Sequence, residues 1–138
     1  MKKILLDTNA YSGFMSGDRL VFDYIVESKI IYISTIMLGE LFAGFSRGNR
    51  FSENKKELNT FLGKEGVKII DVSIETSEIF GEIKSGLRKK GKMIPLNDIW
   101  IAAHAVETGA KLVTYDAHFR NISGLRLWDE LMGGEDDE

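Results

Sequence analysis

The residues of this chain with the clearest chemical potential are acids. Asp7 directly follows the apolar run KILL, and Asp116 lies two residues beyond the run KLVT. Asp98 stands in PLNDIWIAAHA, and Glu40 is the single charge in YISTIMLGELFAGFS, Tyr32 to Ser46. Glu40 is the oddity. On a helix, Leu38, Leu41, Phe42 and Phe45 would form one apolar stripe, while Ile36, Met37, Ala43 and Gly44 would line the side nearer the acid. No solvated face is expected for it, and acids are rarely buried without a partner. Two carboxylates ~4 Å apart repel by about 4 kcal/mol at an effective dielectric of 20. Several together must therefore raise their pKa values or hold a cation. With no cysteine and only 2 histidines, the donors are oxygens, which select Mg²⁺ or Mn²⁺ over zinc or copper. Thr8, Asn9 and Thr114 stand beside these acids, where hydroxyl and amide groups can orient a ligand or a water.

Each residue also has a plainer reading. Asp98 and Asp116 could cap helices, worth about 0.3–1 kcal/mol apiece near a helix N-terminus, and Asp7 could be a turn acid. Thr8, Asn9 and Thr114 fit capping and turn formation equally well. His104, in AAHA, is expected to pack within or at the rim of its helix, and His118 to follow Asp116 in a short polar turn. Neither has a serine or cysteine in triad-like context, so catalysis through either is not expected.

The elements that must carry these residues alternate between strand and helix. Lys3 to Leu6, Ile30 to Ile33, Val67 to Ile70 and Lys111 to Thr114 are short apolar or β-branched runs, as parallel strands are, and a weak last strand is expected near Leu125 to Leu127. Between them, helices are expected after Asp7, over Arg19 to Ser28, from Ser34 or Thr35 through Glu40, over Ser52 to Lys64 and over Ser73 to Lys90. A further helix opens at Asn97 and Asp98 after Pro95, the only proline, and ends at Gly109; a short helical turn follows Asp116. Right-handed crossovers then predict a three-layer α/β/α domain around a parallel sheet of about four to five strands. In such sheets the ligand site lies at the carboxyl ends of the strands. That rule selects Asp7, Glu40 and Asp116 for one pole, whereas topology alone leaves Asp98 free to sit at either.

Bulk properties bound the reading. The 138 residues suit one domain over residues 1–132, with 133–138 (GGEDDE) expected as a disordered acidic tail. Composition, 43% hydrophobic and 28% charged, excludes a wholly disordered chain. A net charge of -3 argues against a general polyanion-binding surface, so nucleic acid would need a local basic patch. The apolar start MKKILLD stops too early for a signal peptide, and no stretch approaches the ~20 apolar residues of a membrane span, so a cytoplasmic protein away from the membrane is expected.

Four motifs in order, LLDTN (Leu5–Asn9), STIMLGEL (Ser34–Leu41), PLNDIWIAAHA (Pro95–Ala105) and LVTYDAHF (Leu112–Phe119), resemble the PIN-domain family over nearly the whole chain. Within it they resemble the small VapC-type toxins of toxin–antitoxin pairs. The resemblance implies that Asp7, Glu40, Asp98 and Asp116 bind metal and carry catalysis, with Thr8, Asn9 and Thr114 beside them. It implies a Mg²⁺- or Mn²⁺-dependent endoribonuclease that hydrolyses RNA through metal-activated water. A small cognate antitoxin and a homodimer are the implied protein partners.

RNA needs positive charge near such a pocket. The candidates are Lys84, Arg88, Lys89, Lys90 and Lys92 in KSGLRKKGK, with Arg47 and Arg50 as a second group; the plain alternative is a solvated helix end. Tyr11, Phe14 and Phe22 are candidates for an antitoxin or subunit surface and equally for core. Two other functions fit less well. An aspartate-nucleophile phosphatase would place a second Asp two residues after Asp7, where this chain has Asn9. A catalytically silent RNA- or protein-binding domain would have no reason to concentrate four acids.

Overall fold

In the computed structural model, residues 2–131 are described. The expected tail at 133–138 lies outside them. Strand β1 (Lys3–Leu6) leads into α1 (Thr8–Met15) and α2 (Arg19–Glu27), then β2 (Ile30–Ser34), α3 (Thr35–Ser46) and α4 (Phe51–Leu62). Strand β3 (Val67–Ile70), α5 (Ile74–Lys90), α6 (Leu96–Thr108) and β4 (Lys111–Val113) follow, and a 3-10 turn spans Ala117–Asn121. The four strands form one parallel sheet in the order β3-β2-β1-β4. Helices cover it in three α/β/α layers, as the alternation of elements predicts.

The chain steps from β1 outward through β2 to β3, then returns to place β4 on the other side of β1. The strand order therefore reverses between β1 and β4, and a crevice opens beyond their carboxyl ends. Ile4, Leu5, Leu6, Ile33, Leu112 and Val113 are buried to 1% exposure or less, so the site rests on fully buried, close-packed strands. The fifth strand is absent as such. Leu127 makes a single parallel bridge to Leu112, framed by Leu112 N–H donating to the Arg126 carbonyl at 2.8 Å and Trp128 N–H donating to the Leu112 carbonyl at 3.1 Å. Polar Arg126 and the Gly124 turn leave too few apolar residues there to extend the ladder.

Local chemistry sets the helix starts near the crevice. Asp7 is the N-cap of α1, its Oδ1 accepting from Ala10 N–H at 2.8 Å. Ser34 caps α3, accepting from Ile36 N–H at 3.0 Å. Pro95 stands at the start of α6, where its fixed φ suits a helix entry, and Gly109 in the left-handed conformation ends it. Helix α3 touches α1, α4 and α6, and α5 packs along α6 with Phe80 stacked on Trp100, centroids 3.8 Å apart. Among the described residues, no helix is long and apolar enough to cross a membrane.

Candidate active site

Asp7, Thr8, Asn9, Glu40, Arg47, Asn97, Asp98 and Asp116 line one open pocket of about 640 Å³ beyond the β1 and β4 ends, with Pro95 and Leu96 at its rim. Four distant segments thus deliver four carboxylates to one place. Asp98, which topology left at either pole, joins the other three because α6 begins there.

Asp7 is the most enclosed, 5% exposed. Its Oδ2 accepts from the buried Thr114 hydroxyl at 2.5 Å, and Thr114 Oγ1 accepts in turn from Asp116 N–H at 3.0 Å. Trp128 Nε1 donates to the Thr114 carbonyl at 2.5 Å, which fixes this corner from below. Burial pushes the Asp7 carboxyl up from 3.8 to about 6, against the lowering effect of the Thr114 and Ala10 hydrogen bonds; Asp98 and Asp116 raise it further. Asp98 is also raised, by burial first, with His118 opposing and Glu40 and Asp116 adding repulsion.

Glu40 differs from its sequence expectation. It is half-buried rather than sealed in, because Gly39 and Ala43 on its side of α3 are exposed and only Met37 and Leu41 of that helix are fully buried. Of α3 and its C-cap, only Glu40 and Arg47 line the pocket. Glu40 Oε1 accepts from the Thr8 hydroxyl, and Oε2 accepts from Asn97 Nδ2 at 3.3 Å. Asn97 therefore joins the site although its sequence position suggested only a helix entry. The signal was its place one residue before Asp98, on the same first turn.

The capping alternative separates the acids. Asp7 does cap a helix, but the 3-10 turn that Asp116 precedes receives no side-chain cap hydrogen bond, and neither does the start of α6. Asp98 and Asp116 face His118 instead, whose Nε2 lies 3.1 Å from Asp98 Oδ2 and 3.7 Å from Asp116 Oδ2. Nε2 is shielded from solvent yet makes no aligned hydrogen bond. The two carboxylates and His118 form a donor group with its ligand atoms all within 4.8 Å of one another. That donor set, oxygen-rich with one unsatisfied nitrogen, fits a hard divalent cation. Asp7 and Glu40 stand outside this tight trio but on the same pocket wall. His118 was passed over in the sequence because a lone histidine in a polar turn carries no pattern; its spacing of two from Asp116 gains meaning only once α6 lies opposite.

The cationic candidates divide. Arg47, at the end of α3, lines the pocket. Arg50 is turned to Glu53, 3.2 Å away. Lys90 donates to the Asn121 carbonyl at 2.8 Å, so it braces the 3-10 turn. Lys84, Arg88, Lys89 and Lys92 lie on or just beyond the last turns of α5, outside the pocket lining. Tyr11 belongs to the core, 3% exposed, whereas Phe22 is 44% exposed and stacks on Phe14 with centroids 6.5 Å apart.

His104 has a separate task. It is fully buried, with Nδ1 3.0 Å from Ser34 Oγ and Nε2 3.1 Å from the Asp71 carbonyl. A carbonyl only accepts, so Nε2 carries the proton and Nδ1 accepts from the Ser34 hydroxyl. Burial pushes its pKa down, which keeps this neutral form. The ring thereby ties α6, which holds Asp98, to the cap of α3, which holds Glu40.

The PIN domain family profile matches residues 4–125. Ribonuclease VapC2 of Rickettsia felis is 35% identical over 111 residues, 78% of this chain and 81% of that protein. Ribonuclease VapC2 of Haemophilus influenzae is 35% identical over 129 residues, 91% of this chain and 96% of that protein. Among solved structures, VapBC2 from Rickettsia felis bound to a DNA fragment from their promoter superimposes with a TM-score of 0.80 at 31% identity, over 92% of this chain and 99% of that one.

Proposed function

The chain belongs to the PIN domain family, in its VapC branch, and we propose that it is a divalent-cation-dependent endoribonuclease acting as the toxin of a type II toxin–antitoxin pair. The observation that carries this reading is the meeting of Asp7, Glu40, Asp98 and Asp116 in one pocket at the strand-order reversal. The ribonuclease names of its relatives supply the substrate class, and the toxin–antitoxin complex among its structural neighbours supplies the partner.

The four carboxylates are assigned as ligands of Mg²⁺ or Mn²⁺. When bound, such an ion supplies Lewis-acid polarisation of a phosphodiester and a water that loses its proton near neutral pH. Thr8 and Asn97 hold the Glu40 carboxylate from two sides, and Thr114 with Ala10 N–H holds Asp7, so both acids are aimed before substrate arrives. Asn9, exposed at the pocket wall, offers an amide to substrate or water. A pocket carboxylate accepts the proton of the attacking water. Arg47 meets the RNA phosphate at the pocket edge, while the basic end of α5 draws in flanking phosphates. A small antitoxin blocks this pocket in the resting cell, the active toxin is a homodimer, and its work on RNA is cytoplasmic.

The test is cleavage of total RNA by the purified chain, with Asp7→Asn and Glu40→Gln beside it. Wild type is expected to cut in Mg²⁺ or Mn²⁺ and to stop on EDTA addition, and each variant to lose at least about 100-fold in rate while keeping its circular dichroism. Full activity of both folded variants would sink the assignment, as would cutting in metal-free buffer.

A further inference from the structure

We propose that His118 is a nitrogen ligand of the cation held in this pocket, and that it shifts the site's preference from Mg²⁺ toward Mn²⁺. The proposal rests on the metal-dependent reading above and deepens it.

An octahedral cation with bonds of about 2.1 Å sets neighbouring donors about 3.0 Å apart and opposed donors about 4.2 Å apart. His118 Nε2 stands 3.1 Å from Asp98 Oδ2 and 3.7 Å from Asp116 Oδ2, and the three donors fit within 4.8 Å. The two histidine contacts fall between those spacings, and the trio as a whole, spanning up to 4.8 Å, needs only a small inward shift to share one ion. Nε2 is shielded from solvent, and its contact with the nearer carboxylate is not aligned as a hydrogen bond. Two carboxylates and an imidazole nitrogen that face one another in this way can close on a cation between them.

The ring is held for this task. The 3-10 turn that bears it is anchored by the fully buried Phe119, against which the imidazole packs edge-on with centroids 4.8 Å apart. Asn121 Nδ2 donates to the His118 carbonyl at 3.1 Å, and Lys90 clamps the turn's end through the Asn121 carbonyl at 2.8 Å. Imidazole suits first-row transition ions, whereas Mg²⁺ demands oxygen. A nitrogen in an otherwise carboxylate site therefore leaves Mg²⁺ binding nearly unchanged and favours Mn²⁺. The rival role makes the opposite prediction: a protonated His118 acting as resident counter-ion would compete with the metal, and removing it would tighten binding.

The experiment titrates MnCl₂ into the full chain, into His118→Ala and into His118→Gln, followed by electron paramagnetic resonance, with Mg²⁺ displacement measured alongside. Both variants alter a partly exposed side chain, and thermal melts check their fold. Pulsed spectra of the wild type should show coupling of bound Mn²⁺ to an imidazole nitrogen, absent in both variants. The Mn²⁺ dissociation constant should rise about 10-fold in the variants, with that for Mg²⁺ moving less than about 3-fold. Bound Mn²⁺ without nitrogen coupling, or tighter binding by His118→Ala, would overturn the role of His118 and leave the metal-dependent reading standing. A wild type that binds no Mn²⁺ would overturn both.

Discussion

Replacing Asp7 with Asn should destroy the proposed activity and stabilise the metal-free fold. Burial holds the Asp7 carboxyl at about 6, roughly two units above its ordinary 3.8. Folding therefore costs about 3 kcal/mol once the pH exceeds 6, at 1.36 kcal/mol per unit. The sign is opposite to that of a salt-bridged aspartate. Below 3.8 the group is protonated in both states and costs nothing; between 3.8 and 6 the unfolded chain releases the proton that the folded chain keeps, so stability falls as pH rises. Asn carries no charge, caps α1 as well as Asp does, and still accepts from Ala10 N–H. It does force the Thr114 hydroxyl to turn, at a cost of about 1 kcal/mol. The net gain is about 2 kcal/mol at pH 8. With an unfolding entropy of about 2.1 cal/mol/K per residue over the 138 residues, that is about 7 °C in Tm. Near pH 4.5 the residual cost of Asp7 is about 1 kcal/mol, so the two chains should there be equally stable. Thermal and denaturant unfolding in EDTA at both pH values measures the difference. A variant no more stable than wild type at pH 8, or a gain that persists unchanged at pH 4.5, would refute the electrostatic reasoning.

His104→Ala should cost about 2–4 kcal/mol, because it leaves a cavity and strands the Ser34 hydroxyl and the Asp71 carbonyl; denaturant melts measure it, and RNA cleavage should fall further than the lost stability explains. Arg47→Ala should raise KM for RNA several-fold with little change in kcat, and lower the slope of log affinity against log salt by about 0.7, as read from cleavage and binding between 50 and 200 mM salt.

The architecture was legible because its signals are local. KILL, IIYI, VKII and KLVT lie where β1 to β4 form, and the capping chemistry of Asp7 and Ser34 marks the starts of α1 and α3. Strand-end position then brought Asp7 and Asp116 to one pole, since that rule depends only on element order. Glu40 was noticed for a reason that the fold revises. An apolar helix around an acid signals enclosure only if its neighbours are buried, and Gly39 and Ala43 are exposed instead. His118 read only as a turn residue and Asn97 only as a helix entry, because each meets its partner on another element, Asp98 for the histidine and Glu40 for the amide. The run Lys84 to Lys92 stands out by density of charge, whereas Arg47, a single cation at the end of α3, is the one that lines the pocket.

The charge balance of the pocket predicts that metal and RNA binding are coupled. Four carboxylates face one arginine among the residues lining it, and the groups that hold Asp7 and Glu40 in place are neutral: two hydroxyls, one amide and one backbone N–H. Neutral donors orient a carboxylate without cancelling its charge. A phosphodiester approaching this pocket therefore meets net repulsion, and the raised carboxyls of Asp7 and Asp98 record the same repulsion internally, added to the effect of burial. A divalent cation reverses both terms at once, relieving the acids and giving the phosphate an attractive target. On the proposed function, RNA affinity should accordingly depend on Mn²⁺ in wild type. In Asp7→Asn that dependence should weaken while metal-free RNA binding improves, because the substitution removes one repelling charge and one ligand together. Filter binding of a non-cleavable RNA, with and without Mn²⁺, separates this coupling from uncoupled binding, in which the two affinities would be independent.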